Sequence, residues 1–270
     1  YTTEIRDILK SINSKSYSTA IKAVDMSEDE VVAKLVSAGF SRKLTPNQMN
    51  NVRHLAPMPA GATFSVPGAG KTTEALAYFF CNVKSEDHLL VVGPLMGAWE
   101  EQLQACCPNA GYSFVRLREG AKTIDRILRD APRFMLISYG QFATVSSLIK
   151  DFLTYHSVIM FLDESHRIKS GRAGVSPQEI LNVSCLLEKK LIMSGTPCPQ
   201  SISDLIPQFE FLYPDKHPDE DSITSLLQPI YVRTTKGQLG IPAIQHRKVT
   251  FNMSPLQSEV YRSLRSETKR

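Results

Sequence analysis

The stretch Ser65-Val66-Pro67-Gly68-Ala69-Gly70-Lys71-Thr72 constrains this chain more than any other. It follows the apolar run Ala62-Thr63-Phe64 and leads into Thr73-Glu74-Ala75-Leu76-Ala77-Tyr78-Phe79-Phe80. A strand, a glycine-rich loop and a helix thus come in the order that a phosphate-binding P-loop requires. Gly68 and Gly70 let the backbone curl around phosphate and turn successive N–H groups inward, and the helix beyond adds the positive end of its dipole. Pro67, Ala69 and Thr73 complete the cradle. Lys71 is placed to reach the β and γ phosphates, and Thr72 to offer its hydroxyl to a magnesium ion that keeps most of its waters. The usual first glycine of such loops is replaced by Ser65. Taken alone, the same residues also fit a glycine-rich turn opening an ordinary helix; the flanking strand and helix favour phosphate.

The 270 residues suffice for one large α/β domain or two small ones. With 42% hydrophobic and 21% charged residues the composition is that of a globular protein. A net charge of +4 and a pI near 8.7 permit a nucleic-acid partner without requiring one. The five cysteines, Cys81, Cys106, Cys107, Cys185 and Cys198, form no CxxC and no zinc spacing. That pattern implies a reducing, intracellular compartment, cytoplasm, nucleoid or nucleus, and no structural metal. No apolar stretch approaches a membrane span, and no signal sequence follows Tyr1. A chain beginning with Tyr1 is expected to be part of something longer.

Residues 1–40 read as a small helical extension: Ile5, Ile8, Leu9 and Ile12 share one face, and Val31, Val32, Leu35 and Val36 another. Ser27 and Glu30 form a capping box, and Gly39 supplies a stop. Thr45, Pro46 and Gln48 repeat the cap, proline and reach-back pattern. Gln48 also has the paired donor and acceptor that would suit an adenine edge, and the two roles are compatible. Beyond the P-loop helix, strands are expected at 89–92, 112–117, 134–137 and 191–193, and helices at 97–106, 123–129 and 141–155. A further helix should open at Ser176-Pro177 and another run near 202–212. A strand near 248–253 and a last helix opened by Ser254-Pro255 close the chain. This alternation predicts an α/β fold with a mostly parallel central sheet and ligands at the carboxyl ends of its strands.

One such end carries a second chemical centre. Val158-Ile159-Met160-Phe161-Leu162 is a continuous apolar run, as in a strand buried on both faces, and it ends in Asp163-Glu164-Ser165-His166. Asp163 is the natural outer partner of the P-loop's magnesium. Glu164 is the natural base, or positioner, for a water attacking in line with the leaving phosphate.

These motifs, in this order, resemble a superfamily 2 helicase-like ATPase of the Swi2/Snf2 group. Asp163 to Lys169 resembles that group's DEAH box with its following Arg-Ile-Lys, and Ser194-Gly195-Thr196-Pro197 its motif III. Val92 to Leu95 with Trp99 and Glu101 is similar to motif Ia, and Leu44 to Gln48 to the adenine-side glutamine motif. Pro229 to Lys236, and Ser254 to Gln257 with Tyr261, resemble family segments leading towards a second lobe. The chain departs from the pattern at Ser65, at Pro67-Gly68-Ala69, at Ser165 in place of alanine, and at Tyr231 in place of arginine or leucine.

The resemblance implies a first RecA-like lobe at 41–213, an extension or connector at 214–270, and ATP with Mg2+ as cofactors. It implies DNA, double-stranded in this group, gripped by its backbone near Leu95, Ser138, Tyr139 and Thr196, and coupling of nucleotide state to motion through His166, Ser194, Gly195 and Thr196. A second RecA-like lobe in the same parent chain would be the partner, so this fragment alone is expected to turn over slowly or not at all. Two other readings remain open: a nucleotide-binding scaffold without turnover, and a kinase-like phosphotransferase, against which the DESHRIK and SGTP segments argue.

Overall fold

Seven parallel strands form one sheet, in the order β3-β4-β2-β5-β6-β1-β7. The computed structural model describes residues 17–240, 247, 249–250 and 252–267. The strands are β1 (Ala60–Thr63), β2 (His88–Val92), β3 (Val115–Arg116), β4 (Phe134–Ile137), β5 (Val158–Asp163), β6 (Lys189–Met193) and β7 (Tyr231–Val232). The apolar run before Asp163 takes the central position, with Leu89 to Val92 opposite Ile159 to Leu162 on one side and Leu191 to Met193 opposite Phe161 to Asp163 on the other. A strand with neighbours on both edges and helices on both faces leaves no place for polar side chains until its carboxyl end.

Helices α1 (Glu28–Ser37), α2 (Pro46–Leu55), α3 (Lys71–Asn82), α4 (Met96–Cys106), α5 (Ala121–Arg129), α6 (Tyr139–Thr144) and α7 (Ser146–Tyr155) come first. They are followed by α8 (Val175–Val183), α9 (Ile206–Leu212), α10 (Ile223–Leu227) and α11 (Pro255–Glu267). The fold is that of an α/β RecA-like domain preceded by N-terminal helices. The described chain falls into two compact units, one ending at Leu239 and the other beginning at Gly240.

Strand β1 begins two residues before the expected apolar run, at Ala60-Gly61. Small residues are poor strand formers, but here they let α2 come close. A Cβ on Gly61 would stand 2.7 Å from Leu55 Cδ2 and 3.2 Å from the Ile230 carbonyl. Helix α3 is buried almost all round, from Thr73 to Cys81. α1 lies on its outer side, where Lys34 Nζ donates to the Cys81 carbonyl at 2.9 Å. The Ser27 and Glu30 capping box forms as expected. At the other end of α1, Gly39 at φ 77° closes a Schellman turn, with Phe40 N bonded to Leu35 O and Gly39 N to Val36 O. Of its four expected apolar contacts only Val31 and Leu35 are buried; Val32 and Val36 are exposed, because α3 covers a narrower stripe than the sequence offers.

Other differences are local. The strand expected at 112–117 shortens to the two-residue edge β3, and the helix at 141–155 breaks at Val145 into α6 and α7. α8 starts at Val175 behind Gly174, so Ser176 is not its cap. β7 pairs with β1, so the segment expected as a connector from 214 onward contributes a strand to the sheet. Ile5, Ile8, Leu9 and Ile12 lie outside the described residues, as does part of the strand expected near 248–253. Ser254 and Gln257 cap each other's amides at the start of α11. Among the described residues no disulfide forms and no helix is long and apolar enough to cross a membrane.

Candidate nucleotide-binding site

The glycine-rich loop joins β1 to α3 at the carboxyl edge of the sheet. Gly68 and Gly70 both have left-handed φ, 85° and 84°, and Gly70 is the residue from which α3 starts. No side chain caps α3, so the amides of its first turn remain available to an anion. Gly70 is required twice over: besides its φ, a Cβ there would lie 2.2 Å from Gln48 Nε2. Lys71 Nζ donates to the Ser65 carbonyl at 3.0 Å, folded back along the loop. Thr73 Oγ1 is buried and donates to Gln102 Oε1 at 3.2 Å, so what Thr73 can offer a ligand is its backbone amide.

Gln48 forms the expected capping box, its Oε1 accepting from Thr45 N at 3.0 Å while Thr45 Oγ1 accepts from Gln48 N. Its amide nitrogen donates to the Ala69 carbonyl at 3.1 Å, so the side chain ties α2 to the loop. Sequence reasoning did not foresee that link.

β1 and β5 are separated by β6, and the ends of all three meet at the site. Asp163 closes β5. Trp99 Nε1 donates to its Oδ2 at 3.0 Å, the Glu164 amide to its Oδ1 at 3.0 Å, and the Tyr139 hydroxyl to its carbonyl at 2.9 Å. Burial pushes the Asp163 carboxyl above its usual range, and Glu164 adds to the rise. The Trp99 and Glu164 hydrogen bonds and the Lys71 charge oppose it. Gly93 allows the approach: a Cβ there would stand 3.0 Å from Asp163 Cβ.

Glu164 has φ 54° and ψ 53°, a left-handed conformation that is uncommon for a residue with a side chain. Such strain, on the order of 1–2 kcal/mol, persists where surrounding contacts hold it. Its Oε2 lies 3.3 Å from His166 Nδ1, and the same nitrogen lies 3.0 Å from Ser194 Oγ. Ser194 Oγ also accepts from Thr196 N at 3.1 Å. A polar chain therefore runs from β5 to the loop after β6. Gly195 packs the end of this chain against the glycine-rich loop, since a Cβ there would meet Pro67 Cδ at 2.9 Å.

The departures from the usual pattern acquire reasons. Ser165 is fully buried and donates to Gln208 Oε1 at 2.6 Å, while Gln208 Nε2 donates to the Pro197 carbonyl at 2.7 Å. The acidic turn and the Ser-Gly-Thr-Pro loop are thus joined through α9. No sequence signal marked Gln208. Of the residues expected near a nucleic-acid backbone, Leu95 and Thr196 are exposed. Ser138 instead caps α6, accepting from Gln141 N, and Tyr139 is buried beneath Arg167, whose guanidinium carbon lies 6.0 Å from the ring centroid. The structure leaves Tyr139 holding Asp163 rather than facing outward.

The chain matches the SNF2-related domain over residues 60–269. It belongs to that family. As a Snf2-like superfamily 2 helicase-type ATPase domain, it is similar to the DNA annealing helicase and endonuclease ZRANB3 of Bos taurus, 27% identical over 154 residues, and of Mus musculus, 30% identical over the same length. Each match covers 55% of this chain and 14% of the relative. The Caenorhabditis elegans chromodomain-helicase-DNA-binding protein 3 homolog is 21% identical over 242 residues, which is 73% of this chain and 13% of the relative. The SNF2-related chain therefore spans about one seventh of the length of these relatives.

The site's own residues fit a nucleoside triphosphate with magnesium. The two left-handed glycines, the uncapped helix with its first lysine, and a carboxylate at the end of β5, one strand removed from β1, suit an anion with a cation partner. Among the described residues no cluster of three or more His, Cys, Asp or Glu side chains offers a competing metal site.

Proposed function

We propose that this SNF2-related domain is the first motor lobe of an ATP-dependent DNA translocase or remodeller. Lys71 and the amides of residues 68–73 hold the phosphates in this reading, Gln48 lies on the adenine side, and Thr72 and Asp163 hold Mg2+. The magnesium ion, when bound, neutralises charge on the transferring phosphoryl group. Glu164 holds and deprotonates the attacking water; its fixed left-handed turn keeps the carboxylate at the end of β5, beside Asp163. The observation that carries the proposal is the polar chain Glu164, His166, Ser194 and Thr196, packed through Gly195 against Pro67. A simple binding module has no need to connect the water-activating carboxylate to an exposed loop. A motor does, because nucleotide state must be passed to whatever grips the track.

Duplex DNA is the proposed track, supported by the names of the relatives and by the basic residues after the acidic turn, Arg167, Lys169 and Arg172. Contact is with phosphates, hence independent of base sequence and weakened by salt. Turnover in this class draws on an arginine from a second lobe, worth roughly 10³ to 10⁵ in rate where such a group has been separated. A steady-state phosphate-release assay with and without duplex DNA tests the reading on this chain and on one carrying a second lobe. DNA-stimulated release by the two-lobed protein, abolished in Glu164→Gln, is expected. No release from either protein, with or without DNA, while nucleotide still binds, would favour the nucleotide-binding scaffold instead.

A further inference from the structure

Behind the phosphate loop, five residues from four separate stretches close a ring of hydrogen bonds. The Thr234 amide donates to Ser65 Oγ at 2.9 Å. The Ser65 and Thr63 hydroxyls lie 3.2 Å apart, and Thr63 Oγ1 donates to Glu74 Oε2 at 2.9 Å. Asn51 Nδ2 donates to Glu74 Oε1 at 2.8 Å and to Thr234 Oγ1 at 3.0 Å. Each hydroxyl has a single proton, so with that of Thr63 given to Glu74, that of Ser65 points to Thr63; Glu74 accepts from both Thr63 and Asn51, and Asn51 donates to both Glu74 and Thr234. Ser65 and Thr63 are fully buried, and Glu74 and Thr234 are 1% and 2% exposed.

The ring has two ends that matter. At one, the Ser65 carbonyl accepts from Lys71 Nζ, the lysine of the phosphate loop. At the other, Thr234 begins the last segment of the first unit, residues 234–239, after which the chain passes into the second. A turn follows Thr234, with Thr235 N donating to Gln238 Oε1 at 2.7 Å, and Asn47 Nδ2 of α2 donates to the Gln238 carbonyl at 3.3 Å. One face of α2 thus holds both sides: Asn47 and Asn51 the exit segment, Gln48 the phosphate loop. The glycine that usually stands at position 65 has no side chain with which to make this link.

We propose that Ser65 is a positioning residue that couples the shape of the phosphate loop to the exit segment 234–239, so that nucleotide at the loop orders the segment and a disordered segment weakens the loop. The inference rests on the nucleotide-binding reading of the site. Without Ser65 Oγ the buried Thr234 amide has no acceptor, and one lost buried hydrogen bond corresponds to about tenfold in an equilibrium constant.

Hydrogen–deuterium exchange on the whole chain, with and without a saturating non-hydrolysable ATP analogue and Mg2+, tests it. In the wild type, nucleotide should slow exchange both in residues 65–73 and in residues 233–239. In Ser65→Ala, protection of 65–73 should persist at saturation while the nucleotide-dependent slowing at 233–239 falls by about tenfold. Thr234→Val, which removes the Asn51 contact and keeps the amide that donates to Ser65, should retain most of that slowing. Unchanged slowing at 233–239 in Ser65→Ala, an equal loss in Thr234→Val, or no slowing there in the wild type while 65–73 responds, would overturn the coupling through Ser65. No response at 65–73 in the wild type would remove the nucleotide reading itself, and the coupling with it.

Discussion

Replacing Gly70 by alanine should be costly for two separable reasons. At φ 84° and ψ 37° an L-residue pays about 1–2 kcal/mol that glycine does not. The added Cβ would also stand 2.2 Å from Gln48 Nε2, which forces that amide away. Gln48 then loses its donation to the Ala69 carbonyl and its acceptance from Thr45 N, at about 1 kcal/mol each. The total for Gly70→Ala is therefore about 3–4 kcal/mol, summed from the same two contributions. In a Gln48→Ala background the second part has already been lost, and only about 1–2 kcal/mol should remain. Urea denaturation of the four proteins of this double-mutant cycle measures the difference directly. The double variant should be about 2 kcal/mol more stable than the sum of the single effects implies. Additive costs would mean that Gln48 does not occupy the space above Gly70, and would remove the link between α2 and the phosphate loop.

Lys190 is fully buried on β6, and burial lowers its ammonium pKa to about 7. The unfolded chain then binds the extra proton above pH 7, so Lys190 makes stability rise with pH by up to about 1.4 kcal/mol per unit. Cys81 and Cys107, both pushed up to about 12 by burial, act in the opposite sense above about pH 8.5, so the comparison belongs between about pH 7 and 8.5. Lys190→Met should flatten the slope there in denaturation midpoints; an unchanged slope would refute a neutral buried lysine. Ser27→Ala removes the α1 cap and should lower stability by about 1 kcal/mol in the same assay. Glu164→Gln in a two-lobed protein should leave nucleotide bound and stop single-turnover hydrolysis, since the amide keeps the shape but accepts no proton.

Much of this arrangement was legible in the sequence wherever a physical rule acts locally. The capping boxes at Ser27, Thr45 and Ser254, the glycine stop at Gly39, and the apolar run ending in Asp163-Glu164 all depend on neighbours within a few positions. What escaped depends on partners far apart in the chain. Ala60-Gly61 reads poorly as strand because its merit is the room it leaves for Leu55 and the Ile230 carbonyl. The partition of Val31 and Leu35 from Val32 and Val36 follows from the width of α3, which α1's own periodicity does not encode. Tyr139 looked like a surface group for nucleic acid, yet its hydroxyl holds the Asp163 carbonyl, 24 residues away. Ser65 and Ser165 looked like lapses from a motif. Each is a buried hydroxyl whose partner, the Thr234 amide or Gln208, could be found only in three dimensions.

Whether the loop from Ser65 to Thr72 binds the phosphates of a magnesium nucleotide is decided by calorimetric titration with a non-hydrolysable ATP analogue in Mg2+. The wild type should bind one equivalent, and binding should be lost in a Lys71→Ala variant that keeps the wild-type circular dichroism and melting temperature. Equal affinity in the two proteins would contradict it.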